Sequence, residues 1–164
     1  MPALHSFFSL LSLFSVMLAA TPLSAAEKLK PVDFCQLTQH PDQWDGKLIR
    51  INAQVNSGQE MLVLEDTSCE QPTSIWLTFG GRREAPVAYC CGAIAGAKRK
   101  STLTINGFRI PLHEDSSFRD FHRRLESGPG SFTAQLEGRF FAKTQEGGFG
   151  HFGMFHLFVV IRVL

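Results

Sequence analysis

The stretch Lys47-Leu48-Ile49-Arg50-Ile51-Asn52-Ala53-Gln54-Val55 decides how this chain is read. Ile49, Ile51, Ala53 and Val55 fall on one side of an extended strand; Leu48, Arg50, Asn52, Gln54 and Asn56 fall on the other. Such alternation belongs to a strand with one face on a core and one facing water. Asp45-Gly46 supplies a turn just before it, and Asn56-Ser57-Gly58-Gln59 a hairpin connection after it. Working outward, four more stretches read as strands: Glu60–Glu65, Ser74–Phe79, Phe132–Phe141 and Phe155–Leu164. Three come before a long interruption and two after it. The order predicts a mainly β protein, a small five-stranded barrel with an insertion (about 82–130) between its third and fourth strands.

Within the strands, Ile75, Leu77 and Phe79 oppose Trp76 and Thr78. Phe132, Ala134, Leu136, Gly138 and Phe140 oppose Thr133, Gln135, Glu137 and Arg139. Gly138 inside a strand marks a bend or bulge. In the last strand, Phe155, Leu157, Val159, Ile161 and Val163 form one side, and His156 is expected on the outer face with Phe158 and Val160. Fifteen Phe against one Tyr and two Trp supply the bulky side chains that a small barrel needs to fill its interior.

The remaining elements are short. Pro31 to Trp44 predicts a short N-terminal helix or two turns, anchored by Val32, Phe34, Leu37 and Trp44. Inside the insertion, Asn106-Gly107 between Thr102–Ile105 and Phe108–Ile110 is a strong hairpin signal. Ser116 or Ser117 is expected to cap a helix over Phe118–Leu125, with Phe118, Phe121, His122 and Leu125 on one face. Gly128-Pro129-Gly130 ends it.

The chain has 164 residues, a formal net charge of +1 and 44% hydrophobic residues, which excludes disorder and gives no global attraction to nucleic acid. Local basic groups remain at Arg82-Arg83, Lys98-Arg99-Lys100, Arg119 and Arg123-Arg124. Residues 1–26 read as a signal peptide, with an apolar run from Phe7 to Ala20, then Pro22, then Ser24 and Ala26 at the −3 and −1 positions of a cleavage site. The alternative is a membrane anchor formed by residues 7–20. One domain, 27–164, follows.

Export favours disulfides among an even number of cysteines, here Cys35, Cys69, Cys90 and Cys91. Adjacent cysteines seldom bridge each other, and Cys35–Cys69 is the preferred pair. Cys90 and Cys91 stay open.

Pro41-x-x-Trp44-x-Gly46-Lys47-x-Ile49-x-Ile51, the Cys69 turn, Gly138-Arg139-Phe140 and Gly148-Phe149-Gly150-His151 carry a resemblance. Over residues 32–79 and 131–164 the chain resembles small exported bacterial OB-fold proteins of the tRNA-anticodon-binding-like kind, most of them without an assigned function. The resemblance implies an OB barrel and does not imply tRNA binding. The span 82–130 lies outside it.

No catalytic constellation emerges. His113-Glu114-Asp115 follows Pro111 in a loop and reads as a solvated turn; no Gly-x-Ser-x-Gly elbow accompanies the serines. Cys90-Cys91 lacks the two-residue gap of a redox motif, and His151 and His156 lack zinc-ligand spacing. No metal or cofactor is expected. The loops joining strands one–two and four–five flank the ligand face of an OB barrel. Here they are Asn56–Gln59 and Lys143–His151, with Trp76, Phe141, Phe149, His151 and Phe152 as the candidate binding edge. The alternative role for these aromatics is to plug the barrel ends. The functional expectation is a non-catalytic binding protein of the cell envelope, periplasmic or extracellular, whose partner is a protein or an envelope component. The alternative is a nucleic-acid or oligosaccharide binder using the barrel face; a thiol-active or metal-dependent enzyme stands behind both.

Overall fold

The structure, a computed structural model, describes residues 29, 31–58, 61–70, 73–80, 102–144 and 155–164. It is mainly β. In chain order the elements are β1 (Pro31–Val32), α1 (Phe34–Gln39), a 3₁₀ turn (Pro41–Gln43), β2 (Leu48–Ser57), β3 (Leu62–Glu65) and β4 (Ile75–Phe79). After these come β5 (Thr102–Ile105), β6 (Phe108–Pro111), α2 (Ser116–Glu126), β7 (Gly130–Thr144) and β8 (Phe155–Val163). All five strands expected from alternation are present, with ends shifted by a few residues.

Pairing runs β2–β3–β4–β8–β7, and β7 pairs back onto β2, so five strands form a ring. Every pairing in the ring is antiparallel except β4–β8, where Trp76 faces Leu157 and Phe79 faces Val160 in parallel register. β1 adds in parallel to β2 at Arg50 and Ile51. The apolar side of each strand points into the ring. Ile49, Ile51, Val55, Leu64, Leu77, Leu136, Phe140 and Phe158 belong to one buried cluster. Burying each such side chain is worth roughly 1.5–3 kcal/mol, and this is the main force closing the ring.

Helix α1 begins at Asp33, whose Oδ1 accepts from the Gln36 backbone N–H at 2.9 Å, and it sends Phe34 and Leu37 into the core. A disulfide joins Cys35 to Cys69, tying α1 to the turn after β3. It is the pair preferred from sequence. Helix α2 closes the end of the ring where β4 finishes and β7 starts. Phe118 meets Phe79 edge-on at 5.3 Å between ring centres, and Phe121 meets Phe132 at 5.6 Å. Phe118, Phe121, His122 and Leu125 are all buried, as the helical spacing requires. Neither candidate serine caps this helix. Asp115 does, its Oδ1 accepting from the Phe118 N–H at 3.0 Å, and Ser116 is already helical.

The β5–β6 hairpin turns on Asn106 (φ 47°) and Gly107 (φ 81°), the left-handed pair that a two-residue turn demands. It lies outside the ring. Ile105 and Ile110 pack with Phe141, Leu157 and Val159 in a second buried cluster. Strand β8 is therefore apolar on both sides: Phe158 and Val160 face inward, while Leu157 and Val159 face the hairpin. His156 shares the inward side, contrary to the outer position expected from sequence. Its ring stacks on Phe140 at 5.8 Å and its Nδ1 meets the Ala142 carbonyl oxygen.

Candidate binding face

Among the described residues, the element packed on the outside of the ring is the β5–β6 hairpin. Over β8 and the second half of β7 lies the hairpin, with Trp76, Leu103 and Phe155 at its margin. Along β2 and the first half of β7 the outward side chains are mostly polar, whereas on β3 the outward Val63 is buried and only Glu65 adds a polar group. Register sets them in rows. Thr133, Gln54 and Glu65 face one another across β7, β2 and β3; Gln135 faces Asn52, and Ser131 faces Asn56. The alternation that puts Ile51, Ala53 and Val55 inside puts these amides and hydroxyls outside.

Neighbours hold several of them. The Gln54 amide donates to Ser131 Oγ at 2.5 Å. The two Glu65 oxygens accept from Asn56 Nδ2 and from Ser74 Oγ, each at 2.5 Å. Arg50 donates to Glu137 through Nη2 at 2.5 Å and Nε at 3.1 Å, so the cation of this face is neutralised. Beyond β3, Asp66 Oδ1 accepts from the Ser68 hydroxyl at 2.6 Å and the Ser68 backbone N–H at 2.9 Å. Those two bonds, the hydroxyl first, hold the Asp66 carboxyl below its ordinary value of 3.8.

The face is not flat. On the β3 side of β2, β1 registers with Arg50 and Ile51, and β3 registers with Gln54 to Ser57. Asn52 and Ala53 fall in the gap between those two strands. A hollow of about 320 Å³ opens there, lined by Asn52, Ala53 and Gln54 of β2, Thr133 of β7, Glu65 of β3, and Asp66 and Thr67. A second hollow of about 90 Å³ adjoins it across the Glu65–Thr67 segment, bounded also by Thr73 and Ser74.

The aromatic edge expected from sequence is placed differently. Trp76 is half-buried and meets Phe155 edge-on at 6.4 Å, at the border of the covered side. Phe141 is 1% exposed, beneath the hairpin, so its ring contacts protein. Phe149, His151 and Phe152 lie outside the described residues, as do Cys90 and Cys91 and the expected signal segment. The 113–115 acid–His run is dispersed: Asp115 caps α2, and the His113 backbone N–H donates to the Ile161 carbonyl at 2.8 Å. The Asp66 carboxylate and the Cys35 and Cys69 sulfurs lie within 4.8 Å of one another, but both sulfurs are spent on the disulfide. Among the described residues no helix is long and apolar enough to cross a membrane.

The polar side of β2 and β7 is legible in the sequence, where the barrel face belongs to the alternative reading, a nucleic-acid or oligosaccharide binder. The signal was the residue type: on the outward positions of these two strands, amides and hydroxyls outnumber charges. Comparison with protein-family models, with curated proteins and with solved structures returns no match for this chain.

Proposed function

We propose that this chain is a non-catalytic binding protein built on an OB-type barrel, and that it holds its ligand on the outer face of β2, β3 and β7. The observation that carries the reading is the unequal cover of the ring. Among the described residues an apolar hairpin covers the β8 side, while β2 and the first half of β7 turn mostly hydrogen-bonded polar groups outward, with a hollow beside them. The strand order β2–β3–β4–β8–β7 with a parallel β4–β8 closure supports the OB assignment, a five-stranded Greek-key barrel that binds on its strand face and adjoining loops. A disulfide at Cys35–Cys69 and the signal-like residues 1–26 support an exported protein acting in the cell envelope. A nucleic-acid ligand is disfavoured, because the hollow is lined by two carboxylates and no base, and Arg50 is committed to Glu137.

A photo-crosslinking side chain placed at Thr133, and separately at Arg109 on the exposed hairpin, tests the face in the producing cells. Adducts at position 133 and none at 109 are expected. Adducts at 109 alone would move the site to the covered side.

A further inference from the structure

We propose that the groove between α2 and the first part of β7 takes an extended peptide bearing an acidic side chain, which docks as an added strand in line with β8. The site is the edge of β7 and not its outer face, so it stands apart from the reading above.

The edge comes first. β7 pairs with β2 from Gly130 to Arg139, but with β8 only from Leu136 onward. Past that point the Leu164 backbone N–H still donates to the Gln135 carbonyl oxygen, at 3.0 Å. Among the described residues no strand carries the ladder further, so residues 131–134 keep one edge open. An open edge presents backbone N–H and C=O groups to any extended chain that can lie beside it.

Helix α2 lies near this edge without closing it. A groove of about 260 Å³ runs between them. From α2 it is lined by Ser117, Asp120, Phe121 and Arg124, which stand at the i, i+3, i+4, i+7 spacing of one helical face. From β7 it is lined by four successive residues, Phe132 to Gln135. Side chains alternate across a strand, so successive residues share a cavity only where it follows the strand's edge. Four residues at about 3.3 Å each give a run of about 13 Å, the length of a short added strand.

The lining sets the chemistry. Phe121, Phe132 and Ala134 offer apolar surface to alternate side chains of the incoming strand. Two charged residues line the groove. Asp120 Oδ1 lies 3.0 Å from Arg123 Nη1, so its charge is matched within α2. Arg124 has no carboxylate partner among the described residues. Its guanidinium lies over the Phe132 ring, 5.5 Å from the centre. Stacking on a ring holds the planar cation and leaves its N–H groups to meet a carboxylate. The uncompensated charge of the groove is therefore positive, and it selects an acidic strand over a basic one.

The test is a titration of the purified protein with capped pentapeptides, followed by backbone amide NMR shifts. Each peptide alternates threonine and valine around a central glutamate, glutamine or lysine. A fourth repeats the glutamate peptide with N-methylated amides, which cannot join a sheet. The glutamate peptide is expected to shift the Ser117, Asp120 and Arg124 signals while Asn52 and Thr67 stay still. It should bind about tenfold tighter than the lysine peptide. Arg124→Gln, checked for an unchanged melting curve, is expected to abolish that preference and to leave the glutamine peptide's binding as it was. Equal binding by the N-methylated peptide would overturn the added strand. Equal binding by the lysine peptide would overturn the acidic assignment. If no peptide moves the α2 signals, the groove assignment falls, whatever becomes of the outer face. Shifts at Asn52 and Thr67 alone would also remove the groove, and would favour the outer face instead.

Discussion

Gly138 lies where β7 shifts register against β8, and the space there leaves no room for even one more carbon. A Cβ at this position would come within 2.3 Å of the Val159 carbonyl oxygen and 2.5 Å of the Phe158 ring. The nearest obstacle is backbone in the same sheet, which cannot swing aside. Gly138→Ala is therefore expected to cost about 3 kcal/mol, read as a lower urea midpoint. Gly130→Ala, whose nearest contact is 4.0 Å away, is the control and should move the midpoint little.

At the same scale, Asp66 ties pH to stability. Its folded-state carboxyl is held below 3.8, so its contribution is complete above the unfolded value and is lost as pH falls through the folded one, below about 4. Ser68→Ala removes the larger cause. A carbon-detected NMR titration should then show the Asp66 midpoint moving up toward 3.8; an unmoved midpoint would refute the attribution.

The elements differ in how plainly their residues announce them. β2 and β7 are half-buried strands, so the two-residue period survives in the sequence and their faces can be read. The β5–β6 turn is legible because Asn106-Gly107 can adopt positive φ cheaply. β8 is less legible: both its sides are covered, so its inner and outer residues are equally apolar and the placement of His156 cannot be inferred. α2 starts two residues before the expected Phe118, because three successive side chains, Asp115, Ser116 and Ser117, are all good caps, and only backbone geometry selects among them. Asp115→Ala is expected to cost about 1 kcal/mol, with Ser116→Ala and Ser117→Ala close to neutral. Equal losses for all three in thermal melts would argue against a single cap.

At the scale of the molecule, one covalent tie matters most. Cys35 and Cys69 are 34 residues apart in sequence, and bridging such a loop stabilises the fold by about 3–4 kcal/mol on the chain-entropy account. Cys35→Ser should lower the melting temperature clearly, and Cys90→Ser should lower it less. Identical melting curves for wild type and Cys35→Ser would contradict the first expectation. The candidate site was less legible than the ring. Its hollow exists because β1 and β3 leave a gap along β2, a matter of register between distant segments that no local pattern records.

The place of β8 in the ring has a consequence for how the molecule comes into being. It pairs with β4 on one side and β7 on the other, yet it follows both in the chain. Until it is made, the first four ring strands form only an open ribbon with two bare edges. A polypeptide emerging from the ribosome therefore cannot close this ring before its last strand is made. The same arrangement leaves those bare edges briefly unguarded against other chains, so the final step of closure is where a crowded compartment would most reward a chaperone.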